Sequence, residues 1–407
     1  MQTRENIFGH VIFVPLMKPD FNNTEVAFQS KNNRALRKAY WLFRLVGSPL
    51  LVKVGKIATN IALGLRLPIK WAVKPTIFSQ FCGGETIEQC AGTTQILDQH
   101  GIGTILDYSV EGKHNDETFH ATTKEILSTI HTANQNKHIP FCVFKMSGIT
   151  RFGLLMKLNS GDPLSEIEQQ EKSKLLERLN SICASAKEAQ TPVFIDAEES
   201  WIQDAIDTLA WEMIEKYNQD EAWVYNTVQL YRHDRLDYLK DTIAIAKQKE
   251  RILGVKLVRG AYMEKERDRA EDLGYDSPIQ PNKESSDQDF DLALKECVLH
   301  LDSVRVVAGT HNEASSQYLT KLMHENGIEN GDQRIYFAQL FGMSDHISFN
   351  LSNLGYNVAK YVPYGPIKEV IPYLIRRAEE NTSVKGQTGR ELTLIIKEMK
   401  RRKRIKS

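Results

Sequence analysis

The 407 residues are enough for one large α/β domain with a helical extension, and too few for two full-sized enzymes. Lysine plus arginine and aspartate plus glutamate both total 52, which argues against a protein devoted to binding nucleic acid. The five cysteines are scattered, without a CxxC pair or a histidine at ligand spacing, so we expect reduced thiols and no metal site.

The N-terminal extension, residues 1–80, is dominated by a basic amphipathic stretch between Val26 and Gly84. This stretch has no aspartate or glutamate, but it carries ten lysines and arginines among leucines, isoleucines and tryptophans. Apolar residues recur at three- and four-residue spacing from Asn33 to Ser79, which predicts two or three helices. Such a segment suits an anionic membrane surface, with peripheral contact through residues 26–84. The compatible alternative, preferred as the main role, is that its apolar side packs on the main domain.

Both ends of the chain carry further expectations. Met17 is as natural a start as Met1, so no inference is based on residues 1–16. The tail 391–407 is basic, and its run from Lys400 to Lys406 is expected to be a frayed, solvated end or, as the alternative, a second contact to an anionic surface. No apolar run approaches the ~18 residues of a membrane span. We therefore expect a cytoplasmic protein that can associate with the inner face of a membrane.

Between residues 81 and 390, short apolar runs rich in β-branched residues alternate with longer amphipathic segments. The pattern predicts an α/β fold, a TIM-like (β/α)8 barrel with the N-terminal helical extension before it. The predicted strands are Thr104–Tyr108, Pro140–Met146, Pro192–Asp196, Trp223–Leu230, Gly254–Val258, Arg305–Gly309, Arg334–Gln339 and Asn357–Val362. The last helix is predicted at Ile367–Asn381, and Glu264–Gln288 is expected to be a long polar loop, a lid or an insertion. A doubly wound sheet is disfavoured because no GxGxxG or P-loop motif is present.

Polar side chains lie at the ends of these strands, where the active site of such a barrel is found. Taken singly, each has a structural explanation, because a strand-end aspartate often caps the next helix and a strand-end lysine often points to water. Their convergence on one rim favours a site. The candidates are Asp107, Lys145, Asp196, Gln229, Tyr231, Lys256, Arg259, Thr310, His311, Asn312, Gln339 and Tyr361.

The last predicted helix adds a second signal. Tyr373, Arg376, Arg377 and Glu380 occur at i, i+3, i+4 and i+7, a spacing that places them on one helical face. Adjacent arginines can bind a carboxylate through several charge-assisted hydrogen bonds, which suits a small acidic or amino-acid substrate. The alternative is a surface ion-pair face with Glu379 and Glu380, and spacing alone does not decide between the two.

Several of these segments, in this order along the chain, resemble the proline dehydrogenase family. The segments are VKLVRGAYMEKER (Val255–Arg267), GTHN (Gly309–Asn312), FAQLFGM (Phe337–Met343), YVPYG (Tyr361–Gly365) and YLIRRAEEN (Tyr373–Asn381), with FKMSG around Lys145, FIDAEES around Asp196 and NTVQLY around Gln229. The resemblance covers residues 80–382. The remaining length has no room for an aldehyde dehydrogenase module, so the chain is similar to the monofunctional members.

The resemblance implies a distorted barrel that oxidises L-proline to Δ1-pyrroline-5-carboxylate, the first step of proline degradation to glutamate, and passes the electrons to a membrane quinone. The residues it assigns to the substrate are Lys145, Asp196, Tyr361, Tyr373, Arg376, Arg377 and Glu380. Among them the three cations hold the proline carboxylate, and Tyr361 packs on the ring and implies a preference for proline over 4-hydroxyproline. The two carboxylates orient the cations. Neither is needed as a general base, since the amine loses its proton before or during hydride transfer.

The resemblance also implies FAD, bound non-covalently at the rim. The residues it assigns to the cofactor are Gln229, Lys256, Arg259, Gly260, Ala261, Tyr262, Thr310, His311, Asn312 and Gln339. Lys256 stands where bacterial members often have an arginine near flavin N5, and Arg259 stands where they have a lysine. The positive charge is kept, but a lysine cannot form the bidentate hydrogen bonds of an arginine, so the contact at N5 stays open.

Two rival interpretations remain at this stage. A folate-reductase-like barrel would use NAD(P)H to reduce its flavin, and the paired arginines argue for proline instead. A non-catalytic scaffold on a membrane surface would explain the basic extension, but it would be expected to have lost some strand-end residues, and none is missing. The oligomeric state and the physiological acceptor cannot be inferred from the sequence.

Overall fold

The computed structural model describes residues 18–65, 67–110, 115–383 and 387–406, and it contains a closed barrel of parallel strands in chain order. The strands are β1 (Ile102–Tyr108), β2 (Phe141–Lys145), β3 (Val193–Asp196), β4 (Val224–Gln229), β5 (Leu253–Val258), β6 (Val304–Gly309), β7 (Ile335–Leu340) and β8 (Val358–Tyr364). The ring closes between β1 and β8, where Ile102 pairs with Val358 and Tyr108 with Tyr364. The barrel and all eight predicted strands are confirmed, with ends displaced by at most two residues.

Helices surround the barrel and follow each strand. They are α1 (Thr24–Ala27), α2 (Asn33–Val46), α3 (Pro49–Gly64), α4 (Lys70–Val73), α5 (Ser79–Phe81), α6 (Ile87–Asp98), α7 (Asp116–Gln135), α8 (Phe152–Ser160), α9 (Glu166–Glu188), α10 (Ser200–Tyr217), α11 (Arg235–Gln248), α12 (Met263–Leu273), α13 (Lys283–Leu299), α14 (Glu313–Glu325), α15 (Asp345–Asn353), α16 (Ile367–Ser383) and α17 (Gln387–Lys406). A π-helical turn at Lys74–Phe78 and a 3-10 turn at Met146–Gly148 complete the described elements.

The hydrophobic core has two layers, because parallel strands are buried on both faces. Inside the barrel, aromatic and branched side chains such as Phe141, Phe194 and Tyr225 fill the centre, with Phe141 and Phe194 stacked at 4.6 Å between ring centroids. Outside it, the strands pack against the inner faces of the helices in one continuous cluster. The polar side chains of the site are thus left at the ends of the strands.

The N-terminal helices pack against the end of the chain rather than standing apart. Phe28 and Phe43 lie in a buried cluster with Ala378 of α16 and Leu394 of α17. The helical character predicted between residues 33 and 79 is confirmed, but the segment forms the four helices α2 to α5 rather than two or three. None of the described helices is both long and apolar enough to cross a bilayer.

The prediction of a long loop at Glu264–Gln288 is wrong. Residues 263–273 form α12, and α13 begins at Lys283, which leaves only a short connection between them. The segment is polar because its glutamates, lysines and arginines are good helix formers on a solvated face, and such a composition does not by itself distinguish a solvated helix from a loop. Glu266 nevertheless lies fully buried, where it accepts hydrogen bonds from Ser200 N at 2.7 Å and Ser200 Oγ at 2.6 Å.

The prediction of a frayed basic end is also wrong. Residues 387–406 form α17, which packs on α2. Glu398 is buried and bonds Arg401 Nε at 2.8 Å and Arg402 Nε at 2.6 Å, and Arg402 also donates to the Lys31 carbonyl at 2.7 Å. The basic residues of the tail therefore serve in part as structural hydrogen-bond donors.

Candidate active site

The C-terminal ends of β2, β3, β5 and β8 bring four of the predicted side chains together. Lys145 and Asp196 are paired in register on β2 and β3. Lys256 Nζ contacts the Asp196 carboxylate and donates to Tyr361 Oη at 2.7 Å, and it lies 4.7 Å from the Tyr361 ring centroid. The Lys256 charge is thus compensated by a carboxylate and an aromatic face in the barrel mouth.

Lys145 remains a cation in this environment. The phenol of Tyr262 and the carboxyls of Asp107 and Glu198 raise its pKa above the ordinary lysine value, against the opposing effects of burial and of the Arg376 charge. Burial raises the pKa of Asp107, which Lys145 and a hydrogen bond from Ser109 Oγ at 2.6 Å partly offset. A buried cation at the rim suits an anionic ligand.

The two arginines of α16 lie close to residues of the rim. Arg377 is buried, with its guanidinium carbon 5.2 Å from the Tyr373 ring centroid. The charge of Arg376 acts on the pKa of Lys145 and that of Arg377 acts on the pKa of His311, so the two arginines face different parts of the site. Residues Ile367, Val370 and Leu374 of the helix pack on Phe78, Phe81 and Met343. The Glu380 side chain lies outside the described part of the chain.

A second cluster of polar side chains lies at the ends of β5 and β6. Arg259 donates to Asp287 Oδ1 at 2.6 Å, to Thr310 Oγ1 at 2.8 Å and to Ser315 Oγ at 2.9 Å. Asn312 caps α14 by accepting from Ala314 N at 2.9 Å, so the turn between strand and helix is held by the predicted residues themselves. An arginine at a helix N-terminus is a suitable partner for a phosphate.

His311 and Gln339 lie beside this group. His311 Nδ1 is 2.9 Å from Ser344 Oγ, and burial, followed by the charges of Lys360 and Arg377, lowers the pKa of His311 to about 3. The imidazole is therefore neutral at physiological pH. Gln339 Nε2 donates to the Thr310 carbonyl at 3.1 Å, and its Oε1 accepts from Ser348 at 2.8 Å.

The end of β4 contains polar atoms that have no hydrogen-bond partner within the described part of the chain. Gln229 Nε2 donates to the Glu198 carbonyl at 3.1 Å, but its buried Oε1 lacks a partner there, as does Tyr231 Oη. Gly260 has φ +141°, and a Cβ at this position would lie 2.4 Å from the Tyr231 ring. The exposed Ala261 follows, and Tyr262 forms the N-cap of α12. These buried atoms without hydrogen-bond partners fit a polar cofactor at the rim.

Several residues of the site were missed by sequence reasoning. Glu198 follows β3 in the same FIDAEES segment as Asp196, is buried, and accepts from Ser147 N at 2.9 Å. The second acidic residue after the strand was a usable signal. The sequence offers no such signal for Lys360, which lies inside an apolar strand, or for Glu391, which lies in the predicted C-terminal tail.

Together the fold and the rim define a (β/α)8-barrel enzyme whose cation-rich mouth suits a carboxylate ligand and a polar cofactor. The family model described as proline dehydrogenase matches residues 90–390. Proline dehydrogenase 1, mitochondrial, of Dictyostelium discoideum is 33% identical over 384 residues, covering 84% of this chain and 67% of that protein. The carbapenem antibiotics biosynthesis protein CarD of Pectobacterium carotovorum is 32% identical and covers 80% of this chain and 84% of its own.

A solved structure of proline utilization A from Bdellovibrio bacteriovorus shares the fold, with a TM-score of 0.70 at 18% identity. The match covers 88% of this chain but only 38% of that one. The chain belongs to the proline dehydrogenase family, which confirms the resemblance seen in the motifs, and it is an oxidoreductase of that family.

Proposed function

We propose that this protein oxidises L-proline to Δ1-pyrroline-5-carboxylate with non-covalently bound FAD and passes the electrons to a membrane quinone. The observation that carries the proposal is the approach of Arg376 on α16 to Lys145 at the end of β2, with the buried Arg377 beside it on the same helix, within a chain of the proline dehydrogenase family. Three cations at one rim match a single carboxylate better than they match any apolar or cationic substrate.

Substrate binding is assigned to Lys145, Arg376 and Arg377 acting on the proline carboxylate. Proline is small, so most of its binding free energy must come from this group, and fixed cations also orient the ring. Tyr361 would pack on the ring, and its hydroxyl is already held by Lys256 at 2.7 Å. Asp196 would keep Lys256 in place, and Glu380 would be a partner for the arginines. A bulky Tyr361 leaves little room for a ring hydroxyl, which supports proline over 4-hydroxyproline.

The residues at the rim fit FAD, because Gln229 Oε1 and Tyr231 Oη are buried without a hydrogen-bond partner in the described part of the chain. The residues that would hold it are Gln229, Lys256, Arg259, Gly260, Ala261, Tyr262, Thr310, His311, Asn312 and Gln339. When bound, FAD supplies a two-electron acceptor for the hydrogen on proline C5. The protein contributes binding, orientation and charge, and no carboxylate is needed as a formal base because the secondary amine releases its own proton.

The test of the reaction is the visible spectrum of the FAD-supplemented protein before and after anaerobic L-proline. Bleaching of the flavin band by proline and not by NADH is the expected result. Bleaching by NADH alone would favour the folate-reductase-like alternative. A protein that binds no flavin would support the non-catalytic scaffold and refute the proposal.

We propose that contact with an anionic membrane occurs through residues 26–84. Among the described residues, ten of the twenty exposed large apolar side chains lie between Trp41 and Trp71. On α3, Val54, Ile57 and Ile61 are 54%, 50% and 57% exposed and share one face. The basic residues of the segment favour anionic lipid by ~1 kcal/mol each near the surface.

A deletion up to Phe81 would not test this idea cleanly, because it would also uncover the cluster beneath α16. The sharper experiment replaces Val54, Ile57 and Ile61 by glutamine and measures co-sedimentation with vesicles of phosphatidylglycerol and phosphatidylcholine. The matched control replaces three exposed residues elsewhere, Ile167, Ile245 and Leu299. Loss of binding in the first variant only is expected, and equal binding by both would refute the assignment.

A further inference from the structure

Helix α17 reaches into the rim of the barrel at the loop that follows β7. Glu391 is 3% exposed, and its carboxylate accepts a hydrogen bond from Ser344 N. The neighbouring Arg390 bonds Glu313 Oε1 at 2.7 Å, and Glu313 is the first residue of α14, directly after Asn312. Consecutive residues of one helix thus contact the loops after β6 and β7.

The conformation of Ser344 explains why it needs such support. Its backbone lies in the left-handed region, with φ 51° and ψ 39°, although it carries a Cβ. A non-glycine residue in this region is less stable than in the right-handed one, and it persists only where the surroundings hold it. Ser344 is fully buried, and the Glu391 carboxylate holds its N–H.

The next residue in the loop has a second anchor. Asp345 pairs with Lys360 of β8 at 2.8 Å and with Lys31, from the segment before α2, at 2.7 Å. The two lysines hold the pKa of the Asp345 carboxyl well below its ordinary value, despite burial. Two adjacent residues are therefore held by Glu391 and Lys31, which lie outside the α/β units of the barrel, and by Lys360 of β8.

The side chain of Ser344 transmits this geometry to the site. Its Oγ lies 2.9 Å from His311 Nδ1, while the Leu340 N–H approaches Nε2 of the same ring at 3.5 Å. An N–H directed at Nε2 favours the tautomer with the proton on Nδ1, which then donates to Ser344 Oγ. The imidazole orientation thus depends on where the loop places the serine.

We propose that Glu391 is a positioning residue for the flavin site: by fixing the left-handed turn at Ser344, it sets the orientation of His311. This inference rests on the proposed function, which assigns His311 to FAD. Glu391 itself touches neither substrate nor cofactor in this assignment and acts through Ser344.

The test compares the FAD dissociation constant, from flavin fluorescence titration, of the full-length protein and its Glu391→Ala and Glu391→Gln variants. Glu391→Ala is expected to weaken FAD binding by about 10-fold, since it removes the acceptor of a buried N–H. Glu391→Gln should restore binding to within about 3-fold, because the glutamine Oε1 still accepts the bond. Ser344→Gly, which keeps the turn and loses the hydroxyl, should resemble Glu391→Ala.

The matched control is Glu398→Ala, which removes the other buried carboxylate of α17, bonded to Arg401 and Arg402. It should lower the melting temperature and leave the FAD dissociation constant within about 2-fold. Unchanged FAD binding in Glu391→Ala, or equal weakening in Glu398→Ala, would overturn the proposal. The second result would mean that α17 only stabilises the fold.

A readout without the cofactor separates this inference from the proposed function. In the apo-protein, the rate of His311 modification by diethyl pyrocarbonate, located by peptide mass spectrometry, should rise in Glu391→Ala and not in Glu398→Ala. If the parent protein bound no FAD, the proposed function would fail. The rates of His311 modification would still decide whether Glu391 positions the ring. Equal rates in both variants would refute it.

Discussion

At the scale of single residues, the rim separates its cations into compensated and available ones. Lys256 is compensated by Asp196 and Tyr361, and Arg259 by Asp287. Lys145 faces carboxyls that burial itself drives toward the neutral form, so its charge remains available to a ligand. In the proposed function Lys145 accordingly serves the substrate, while Lys256 and Arg259 serve the cofactor.

Replacing either arginine of α16 by methionine should raise the KM for proline by about 10- to 150-fold, because each charge-assisted hydrogen bond contributes ~1.5 to 3 kcal/mol. Steady-state kinetics with a quinone analogue measure the effect. Lys368→Met, at an exposed position of the same helix, is the control and should leave KM unchanged. An unaltered KM in both arginine variants would refute the carboxylate assignment.

The neutral His311 predicts a pH dependence of stability. Its pKa falls from the ordinary 6.5 to about 3 in the folded protein, so the unfolded chain binds the extra proton first. The group's contribution is complete above pH 6.5 and is lost as the pH falls toward 3, at no more than about 1.4 kcal/mol per pH unit. The free energy of unfolding in urea should therefore fall less steeply with decreasing pH for His311→Gln than for the parent protein below pH 6.5. Above pH 6.5 the two pH profiles should be parallel. Parallel curves at all pH values would contradict the prediction.

At the scale of elements, α12 shows how a polar segment can be firmly attached. Glu266 joins it to the N-terminus of α10 through both the backbone and the hydroxyl of Ser200. The sequence predicts a long polar loop here, a lid or an insertion, and the structure instead fixes one turn of a helix against the neighbouring unit. A single buried carboxylate among exposed ones cannot be recognised from helical spacing, because its partner lies 66 positions away.

Glu266→Ala should destabilise the protein by about 2 to 3 kcal/mol, since it removes a fully buried carboxylate and leaves both half-buried Ser200 donors without their acceptor. Hydrogen exchange should accelerate in α12 and the start of α10. Glu264→Ala, on the exposed side of the same helix, should change stability by less than ~0.5 kcal/mol. If both variants unfolded at the same urea concentration, the bond to Ser200 would not be what holds α12.

At the scale of the whole molecule, the sequence predicted the barrel well because each strand is a short apolar run, buried on both faces, with a polar residue at or near its C-terminal end. Lys145, Asp196, Lys256 and Tyr361 meet as the parallel strand ends require. What could not be predicted is contact between distant segments, such as Lys31 with Asp345 or Arg402 with Phe28, 314 and 374 positions apart. These contacts depend on how α2 and α17 pack, and local pattern carries no information about that.

The burial of all five cysteines gives a global test of the fold. Burial raises the pKa of Cys90 and Cys142 to about 12 and shifts those of Cys82, Cys183 and Cys297 in the same direction. Thiolates are the reactive form, so Ellman's reagent should label none of them within minutes in the native protein and all five in guanidinium chloride. Rapid native labelling would contradict the packing described for these positions.

The hold of Glu391 on Ser344, 47 positions earlier, has a consequence for the order in which the protein matures. During translation every barrel strand leaves the ribosome before α17 does. A nascent chain can therefore close its ring of strands while Ser344, beside His311, still lacks its hydrogen bond to Glu391. Under the proposed role of Glu391, the flavin site would be completed only after the barrel itself has formed.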